Sequence, residues 1–524
     1  MTATMTSNKP SVLITGAGIC GLCSGIALAK AGHRVTIIER DAALPDGDAD
    51  AIFFEWIRRG ASQFKHPHAF LGVMSNLLTE MFPDLIGDFW AAGARKITFE
   101  DMLPDAMVGK VAATPEDEKL WLLMCRRATM EMVLRRYAEK QPGLEIQSGV
   151  RVNRAIIDTD QSPAAITGLE VQPINPQSST SEVEDRAVIT ADLYVNAGGR
   201  GSHFKKWIEQ AGLSIQSESH DAEIVYYTRH YKLKPGVEDP PRRGKHRSAG
   251  DLGYLKYGVF PGEDGHFAVI VCVPKADGAL HNAVKDNDEF DAICRAIPGL
   301  QPWVNEAAAV ATTDAFGMGN IKAEWHDYVN GDRPLLSNYF AVGDSAIRTN
   351  PLYGRGCSTG IIHSHLLREI LAQDLDPNAR AMAFHHQSRE RLRPIWEASL
   401  REDRNAIKRA NRILLDQEKD AFSVKRWFQA SIGDAVNQAA QTYPSVFRGA
   451  MRSFNLMETP GAFLAERKTQ GLVLWTLLTG GKKNKASRFV AGPSRGEMLA
   501  HLESLRGTST ATATNSEWID AAAS

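Results

Sequence analysis

The chain has 524 residues but only six cysteines, which are too few for a disulfide framework in a protein of this length. It also lacks a dominant charge, because 60 Lys and Arg residues stand against 62 Asp and Glu residues. A net charge of −2 provides no electrostatic footprint for nucleic acid, so nucleic-acid binding is not expected. Pro (24) and Gly (43) are near average, which excludes a mostly disordered chain.

Long apolar runs are absent as well. The first ten residues are polar and contain no apolar segment of the kind that a secretory signal requires. The longest late apolar stretch, residues 471–479, is about half of the roughly 20 residues that cross a bilayer. We therefore expect a cytoplasmic protein whose contact with a membrane, through the C-terminal region, is at most peripheral.

A glycine-rich turn between a strand and a helix is the first chemical signal. The β-rich run 11–15 is followed by Gly16, Gly18 and Gly21, and then by a helical pattern over residues 22–31. In a dinucleotide-binding turn the first glycine permits the tight turn and the second lets the backbone approach a pyrophosphate. The third lets helix and sheet pack closely. The N-terminus of the helix then faces the phosphates with its positive end.

An acidic residue stands at the position that such a site requires. Glu39 lies 23 residues after Gly16, at the end of a second strand over residues 34–39. A carboxylate there can accept hydrogen bonds from both hydroxyls of an adenosine ribose. Strand, glycines, helix and acid in this order favour a dinucleotide site over a glycine-rich turn that binds nothing.

A second signal follows the strand at residues 338–342. It reads Gly343-Asp344, and then Pro351-x-x-Gly354-x-Gly356. This segment resembles the Gly-Asp signature of FAD-dependent aromatic-hydroxylase-like monooxygenases, the superfamily with the para-hydroxybenzoate hydroxylase fold. By that resemblance Asp344 binds the ribityl chain of FAD, and the segment after Pro351 runs along the flavin ring.

The resemblance extends from residue 11 to about residue 372. Backbone amides near Gly356 and Cys357 would stabilise negative charge on reduced flavin, because they open a helix. The stretch from Arg126-Arg127 to Leu134 resembles the family pattern of an arginine that touches the FAD phosphates ahead of a helix. The cofactor-binding residues implied in this way are Gly16, Gly18, Ile19, Cys20, Gly21, Glu39, Arg40, Arg58, Arg127, Val152, Gly199, Gly343, Asp344, Pro351, Gly354, Gly356, Cys357 and Ser358.

One position departs from the family pattern. The family has Asp-Gly in a segment like Ala-Asp-Gly-x-x-Ser, and this chain has Gly198 where the aspartate stands. That aspartate takes part in both FAD and NAD(P)H interactions in the family, and no second strand–GxGxxG–helix unit is present here. Two electron donors therefore stay open, NAD(P)H itself and a separate flavin reductase.

The expected fold class is α/β, with a Rossmann-type, glutathione-reductase-like FAD-binding domain, an antiparallel-sheet substrate domain and a helical C-terminal region. Alternating apolar residues from residue 223 onward favour the antiparallel sheet. Trp396, Trp427 and Trp475 are predicted to anchor the core of the helical region. The expected boundaries are 10–205 and 335–375 for the FAD-binding domain, 206–334 for the substrate domain, 376–506 for the helical region and 507–524 for a disordered tail.

The resemblance implies a flavoprotein monooxygenase that uses FAD and O2, through a C4a-hydroperoxide, to hydroxylate or epoxidise a small apolar or aromatic substrate. No catalytic residue is assigned, because the cofactor carries the chemistry. Two alternatives stay open: an FAD-dependent dehydrogenase or reductase, and a non-catalytic flavin-binding redox or interaction protein. Halogenation is disfavoured, because no two of the ten tryptophans have the Trp-x-Trp spacing of flavin-dependent halogenases.

Several residues have both a functional and a structural interpretation. His66 and His68 are placed near the flavin or its entrance, and a metal site is not expected because a third ligand is missing. The Cys20-x-x-Cys23 spacing is interpreted as small packed residues. Candidates for the substrate wall, with core packing as the alternative, are Tyr226, Tyr254, Tyr257 and Phe260.

Overall fold

The computed structural model describes residues 9–174, 186–241, 247–415, 423–486 and 491–507, so the predicted tail lies outside the described residues except for Gly507. The strands are β1 (Val12–Thr15), β2 (Val35–Glu39), β3 (Arg95–Ile97), β4 (Leu122–Met124), β5 (Leu144–Ser148), β6 (Val150–Asp158), β7 (Ala165–Pro173), β8 (Ala187–Ile189), β9 (Leu193–Asn196), β10 (Gln216–Asp221), β11 (Ile224–Leu233), β12 (Ala249–Asp251), β13 (Lys256–Pro261), β14 (His266–Pro274), β15 (Ala309–Ala311), β16 (Phe316–Met318), β17 (Lys322–Asp327), β18 (Val329–Asn330), β19 (Arg333–Pro334), β20 (Tyr339–Ala341) and β21 (Ile347–Arg348). The helices are α1 (Ile19–Lys30), α2 (Ala49–Glu55), α3 (Gly72–Met81), α4 (Leu85–Ala91), α5 (Phe99–Met102), α6 (Arg127–Glu139), α7 (Phe204–Gln210), α8 (Gly278–Ala283), α9 (Asn287–Ala296), α10 (Gly356–Leu371), α11 (Pro377–Leu414), α12 (Val424–Thr442), α13 (Pro444–Phe454) and α14 (Arg467–Ala486).

A five-stranded parallel sheet in the order β20-β9-β1-β2-β5 forms the first layer. Every residue of β1 and β9 is buried, as expected for a parallel sheet covered on both faces. The carboxyl ends of parallel strands meet at one edge. The glycine turn after β1 and Gly343-Asp344 after β20 therefore lie at the same edge, with only β9 between their strands.

Helices α1 and α10 pack closely against each other on this sheet. A Cβ atom added to Gly343 would come within 2.9 Å of the Cys20 sulfur, and one added to Gly360 within 3.1 Å. The hydroxyl groups of Ser24 and Ser364 lie 2.8 Å apart in the same contact. Small residues thus bring together the N-termini of the two helices that carry the glycine turn and the residues after Gly356.

The larger antiparallel sheet has the order β12-β13-β14-β11-β15, and β16 also pairs with β11. Because side chains alternate along a strand, the sheet has two different faces. One face carries Tyr226, Thr228 and His230 of β11. The other face packs its valines and aromatic residues against α8, α9 and residues 495–507 in a separate core.

The helical region differs from the prediction in one respect. Trp396 in α11 is fully buried, but Trp427 in α12 is 58% exposed and Trp475 in α14 is 60% exposed. Small residues, such as Ala435 and Ala439 of α12, are the buried ones in this pair of helices, so the large side chains lie outside. The prediction that Trp427 and Trp475 anchor a core is therefore wrong. Within the described residues, no helix has the length and apolar character that a membrane span requires.

Candidate active site

The glycine turn has the geometry that a dinucleotide site requires. Gly16 has φ +95°, and a Cβ atom there would lie 2.6 Å from the carbonyl oxygen of Ala197. A Cβ atom at Gly21 would collide with the carbonyl oxygen of Gly16, whereas one at Gly18 would meet nothing within 4 Å. Gly16 and Gly21 are thus required by packing, and Gly18 leaves open space at the start of α1, where Ile19 is the first helical residue.

A buried charge cluster lies beside the turn. The guanidinium of Arg58 is within 3.1–3.3 Å of carboxylate oxygens of Glu39, Asp41 and Glu131, and its Nη2 donates to the carbonyl of Ala17. All of these side chains are nearly inaccessible to solvent. Burial lowers the pKa of Arg58, but the three carboxylates more than compensate and raise it above its ordinary value. Arg58 therefore carries a permanent charge here.

Glu39 occupies the place predicted for a ribose ligand. Its carboxylate accepts hydrogen bonds from the backbone N–H groups of Ala17, at 2.7 Å, and Asp41, at 2.8 Å. A carboxylate has about four acceptor sites, so these two bonds and Arg58 leave room for one ribose hydroxyl rather than the two that the sequence suggested. Arg40 lies at the rim and is half exposed.

Arg127, the first residue of α6, connects this cluster to the loop that carries His66 and His68, which we call the histidine loop. Its Nε donates to Glu131 at 2.8 Å and its Nη1 to Nε2 of His68 at 3.2 Å. Burial lowers the pKa of Arg127, but Glu131 and the nearby Cys357 and Asp344 raise it above its ordinary value. Arg127 is therefore a fixed cation between the two glycine motifs, which suits an anionic ligand.

Asp344 lies at the carboxyl edge of the parallel sheet, directly after β20. Burial raises its pKa, and Arg348, Arg127 and Arg200 act in the opposite direction. The amide of Gln63 lies 3.5 Å from Oδ2 of Asp344. Sequence reasoning missed Gln63 and Arg200 because both come from segments distant in the chain from Asp344.

The segment after Asp344 turns sharply before α10. Pro351–Tyr353 form a 3-10 turn, Gly354 has φ +66°, and α10 begins at Gly356. The hydroxyl of Ser358 is buried and has no hydrogen-bond partner among the described residues. Burial raises the pKa of Cys357 to about 11, so its side chain is a neutral thiol.

Helix α11 holds this turn from behind. Asn350 and Tyr353 both donate to Oδ1 of Asp403, at 2.7 Å and 2.8 Å. Arg355 donates to Ser399 at 2.7 Å and to Glu402 at 2.6 Å. Burial raises the pKa of Asp403, and its second oxygen has no partner among the described residues. The turn is thus tied at several points to a helix outside the parallel-sheet layer.

These residues fit an extended FAD molecule. Open space at Gly18 suits the pyrophosphate, Arg127 supplies positive charge, and the Asp344 carboxylate suits ribityl hydroxyls. The unpartnered hydroxyl of Ser358 is a buried polar group that a ligand would satisfy. Gly199, with φ +60°, donates its N–H to Ser345 beside Asp344. Val152 lies farther out, in β6 of the antiparallel sheet β6-β7-β8.

Gly198, the position that departs from the family pattern, lies in a turn that is held by hydrogen bonds to Asn196. The N–H of Gly198 donates to the side-chain oxygen of Asn196 at 3.1 Å, and the hydroxyl of Ser202 donates to the same oxygen at 3.0 Å. The amide nitrogen of Asn196 donates to Tyr339 at 2.8 Å. Asn196 therefore holds the turn that follows β9.

A small cavity joins the cofactor residues to the antiparallel sheet. Arg127 and His68 line it on one side, and Phe260, Ala268 and His230 line it on the other. His66 hydrogen-bonds through Nδ1 to Thr228 at 2.9 Å. Its ring lies 4.9 Å from the rings of both Tyr226 and Phe316. The histidine loop thus touches the face of the sheet that carries Tyr226.

The hydrogen bonds of His68 define its protonation. Its Nδ1 pairs with the carbonyl of His66, so Nδ1 carries the proton, and Nε2 accepts from Arg127. Burial and the charge of Arg127 lower the pKa of His68 to about 3. Both ring nitrogens are engaged, so His68 has no lone pair left for a metal ion.

Another group could hold a metal by distance alone. Ligand atoms of Asp50, Asp264 and His266 lie within 4.8 Å of one another. Arg126 already pairs with Asp50, and Lys232 pairs with Asp264 at 2.6 Å. Bound cationic side chains occupy the carboxylates, so this group is a salt-bridge network.

The structure corrects two of the predicted substrate-wall residues. Tyr257 faces away from Tyr226 and is buried in the core between the sheet and α8 and α9. Tyr254 belongs to the same core, and its hydroxyl donates to the carbonyl of Pro493. Tyr226 and Phe260 both border the small cluster that includes Ile270. The alternative interpretation, core packing, therefore applies to Tyr254 and Tyr257.

The C-x-x-C spacing has a structural explanation. Cys20 and Cys23 are free thiols, and Cys20 lies at the contact between α1 and α10. Burial raises the pKa of both thiols. A neutral thiol is a poor nucleophile, so the small-packing interpretation holds for this pair.

We expect acid to destabilise the protein partly through His363, which is buried behind Gly343 and accepts its N–H at 3.1 Å. Burial lowers the pKa of His363 to about 3, whereas an unfolded histidine titrates near 6.5. The unfolded chain therefore binds a proton first, and stability falls as the pH drops below about 6.5. Between pH 6.5 and 5 the His363 contribution is about 2 kcal/mol.

The variant His363→Asn keeps an acceptor for Gly343 but does not titrate. Denaturant unfolding at pH 7 and pH 5 should show a smaller acid loss in this variant than in the wild type, by about 2 kcal/mol. Equal losses in the two proteins would contradict the assignment. His365 on the same helix is more exposed, and His365→Asn is the control.

Comparison with known proteins agrees with this geometry. A family model for NAD(P)-binding Rossmann-like domains matches residues 14–72. Protein Rv3254 of Mycobacterium tuberculosis is 24% identical over 483 residues, which cover 88% of this chain and 92% of that protein. A protein of Streptomyces halstedii named as a candidate polyketide hydroxylase is 25% identical over 423 residues, which cover 75% of this chain and 64% of its own length.

Solved structures show the same fold at low sequence identity. The flavin-dependent brominase Bmp2 aligns with a TM-score of 0.56 and 14% identity, covering 91% of this chain and all of its own. PqsL of Pseudomonas aeruginosa, a probable FAD-dependent monooxygenase, aligns with a TM-score of 0.54 and 15% identity, covering 77% of this chain and 98% of its own. The anhydrotetracycline hydroxylase OxyS of Streptomyces rimosus aligns with a TM-score of 0.53 and 16% identity, covering 86% and 76%. The chain thus has the fold of flavin-dependent monooxygenases and halogenases, which confirms the fold class expected from the sequence.

Proposed function

We propose that the protein is a flavoprotein monooxygenase that uses FAD and O2 to hydroxylate a small aromatic substrate. The observation that carries this proposal is the cavity between the cofactor residues and the sheet, because it joins Arg127 and His68 to Phe260 and His230. The cavity itself has room for about one water molecule, so an aromatic substrate would enter only if the loop of His66 and His68 moved away from the sheet; it would then lie beside the region that the flavin ring would reach from Asp344. When bound, FAD supplies the electron transfer and the activation of oxygen.

The residues of the chain hold and orient the cofactor. Arg127 and the N-terminus of α10 place positive charge beside Cys357, where negative charge on a reduced ligand would be stabilised. His68 stays neutral because its pKa is about 3, and its bond to Arg127 orients that cation. Phe260, Phe316 and the buried Tyr226, which surround His66, exclude water from the same space.

His230 suggests what the substrate offers. Its Nε2–H donates to the carbonyl of Lys65 at 2.6 Å, so Nδ1 is an acceptor, and Nδ1 has no partner among the described residues. Burial lowers the pKa of His230 to about 3, which keeps the ring neutral. A buried acceptor beside the aromatic side chains of Phe53 and Phe260 favours an aromatic substrate with a hydroxyl donor. The hydroxylases of a polyketide and of anhydrotetracycline among the similar proteins support such a substrate class.

We expect His230→Phe to raise the KM for a phenolic substrate about tenfold, with little change in kcat. Phenylalanine keeps the ring packing against Phe316 but removes the Nδ1 acceptor, together with the Nε2–H that donates to Lys65. The loss of the one neutral hydrogen bond to the substrate corresponds to about 1.4 kcal/mol. His230→Asn, which retains an acceptor oxygen, is the matched variant and should stay closer to the wild type. A KM that is equal in the wild type and His230→Phe would contradict the substrate role.

The electron donor is the remaining part of the proposal. We propose that NAD(P)H is the electron donor. We also propose a reducing, cytoplasmic compartment for the protein, since all six cysteines are free thiols. A separate flavin reductase is the other source. Bleaching of the yellow protein by NADH, by NADPH or only by added reductase distinguishes the three cases.

The deciding experiment asks whether oxygen converts a substrate into an oxygenated product when it reoxidises the reduced flavin. The purified flavoprotein is reduced without air, air is admitted, and oxygenated product and hydrogen peroxide are measured with and without 1-naphthol. Product that forms at the expense of peroxide is the expected result. Reoxidation without oxygenated product from 1-naphthol or a panel of larger phenols would favour the dehydrogenase. A protein whose flavin no donor reduces would favour a non-catalytic role.

A further inference from the structure

Helix α12 exposes an apolar face of the kind that is normally buried. Val424, Trp427, Phe428 and Ile432 follow the spacing i, i+3, i+4, i+8, which places them on one side of the helix. All four are exposed to solvent. Single exposed apolar residues are ordinary, but a whole face left open indicates a surface for binding.

Helix α14, which packs against α12, repeats the arrangement. Leu474, Trp475 and Leu478 share one side of the helix, and Leu478 is 74% exposed. The fully buried positions of α14 are polar ones, Thr469, Thr476 and Asn484, and its Leu472 and Val473 pack half-buried against a small cluster that includes Ala439 and Val446. The helix therefore has a second apolar side, beyond the one that packs against this cluster, and that second side is open to solvent. We call the seven exposed residues of the two helices the docking face; they are Val424, Trp427, Phe428, Ile432, Leu474, Trp475 and Leu478.

The same two helices are strongly basic, although the whole chain has a net charge of −2. They contain seven basic residues and one acid, Asp434, which is buried. The chain bends at Gly481, where φ is +35°, and Asn484 donates to the carbonyl of Thr476. Lys482, Lys483 and Lys485 around this bend are all exposed.

We propose that the docking face binds peripherally to an anionic lipid bilayer, with its tryptophans and leucines in the headgroup region and with the nearby Lys482, Lys483 and Lys485 on the lipid phosphates. A bilayer surface offers apolar depth and negative charge together, which matches what these helices expose. Tryptophan is enriched at membrane interfaces because its ring is apolar and its N–H is polar. Lysine stems can lie along the apolar surface while the ammonium groups reach the phosphates.

A lipid surface explains the charge better than a second copy of the chain does. Two copies that met through this face would bring their basic helices together, and the resulting repulsion would oppose association. Because no described helix is long and apolar enough to span a bilayer, the contact is interfacial.

The test is flotation of the full-length flavoprotein with vesicles in a density gradient. Wild-type protein should float with vesicles of equal parts phosphatidylcholine and phosphatidylglycerol, and much less with phosphatidylcholine alone. Added salt should weaken the binding, since the charge contribution is screened. Wild-type protein that stays at the bottom with both kinds of vesicle would overturn the proposal.

Two variants separate the apolar and electrostatic contributions. Trp475→Glu with Leu478→Glu should abolish flotation, and replacing Lys482, Lys483 and Lys485 by Gln should weaken it at least tenfold. Val188→Glu with Val310→Glu is the matched control, because both valines are exposed elsewhere. Flavin content and circular dichroism report whether each variant is folded.

Sedimentation of the same proteins shows whether the docking face binds a second copy of the chain instead of a bilayer. A self-association of the wild type that Trp475→Glu with Leu478→Glu abolishes, without vesicle binding, would assign the face to a second copy and overturn the lipid proposal. Flotation of Trp475→Glu with Leu478→Glu at the wild-type level would also overturn it. The outcome is independent of catalysis, so it does not depend on the proposed oxygenase function.

Discussion

Gly18→Val is expected to fold normally and to lose its FAD. A Cβ atom at Gly18 meets nothing within 4 Å, and the residue has φ −79°, which any amino acid adopts. The added side chain would, however, fill the space where the backbone has to approach the pyrophosphate. We expect FAD affinity to fall about 100-fold, which corresponds to about 2.7 kcal/mol.

Fluorescence titration of the apoprotein with FAD measures this loss, and denaturant unfolding of the apoprotein measures stability. Gly87→Val in α4 is the control, because Gly87 is equally open and lies outside the proposed site. Gly21→Ala shows the contrasting behaviour, since its Cβ would collide with the backbone of Gly16 and destabilise the apoprotein itself. Wild-type FAD affinity in Gly18→Val would refute the proposed position of the pyrophosphate.

Arg58→Met is expected to destabilise the protein by about 3–5 kcal/mol, even without cofactor. The substitution preserves much of the side-chain length but leaves the carboxylates of Glu39, Asp41 and Glu131 without their shared cation. Arg58 Nε is 3.1 Å from Glu131, and both side chains are almost completely buried. Buried carboxylates without a partner are costly because the protein interior cannot solvate them as water does.

Chemical denaturation of the apoprotein tests this expectation, and Arg40→Met is the control. Arg40 is the next cation along the chain from Glu39, but half of its side chain is exposed, so its removal should change stability by less than about 1 kcal/mol. A similarly small effect in Arg58→Met would mean that the cluster is not the structural unit described. A double variant, Arg58→Met with Glu131→Gln, should recover part of the loss because it removes one of the unpaired charges.

Local sequence patterns were sufficient to predict the parts of the molecule that are built from one short continuous segment. The turn at Gly16, Gly18 and Gly21 and the Gly343-Asp344 motif each combine a strand, a tight turn and a helix within a few residues. Their requirements can therefore be read from the sequence. Contacts between distant segments could not be read in this way. Gln63 and His230 come close to the cofactor residues only because the antiparallel sheet and the histidine loop fold onto the parallel sheet. Arg200 follows β9 and comes close to Asp344 because β9 pairs with β20.

The wrong predictions for Tyr257, Trp427 and Trp475 also arose because the sequence does not show which distant segments come into contact. The alternation of β13 predicts that Tyr257 and Phe260 point to opposite faces, but only the pairing with β14 shows which face meets the cofactor residues. The prediction of a helical region around Trp427 and Trp475 was correct, whereas the prediction that these tryptophans face a core was not. A period of 3.6 residues reveals that a helix has an apolar side and does not reveal what that side contacts.

The bonds from Asp403 to Asn350 and Tyr353 carry an implication for biogenesis. The turn that would border the flavin depends on a carboxylate about fifty residues further along the chain. During synthesis the glycine turn and Glu39, which would bind the nucleotide part of FAD, leave the ribosome well before Asp403 does. Stable capture of the prosthetic group should therefore wait until α11 has left the ribosome and docked, which makes flavin loading a late maturation step.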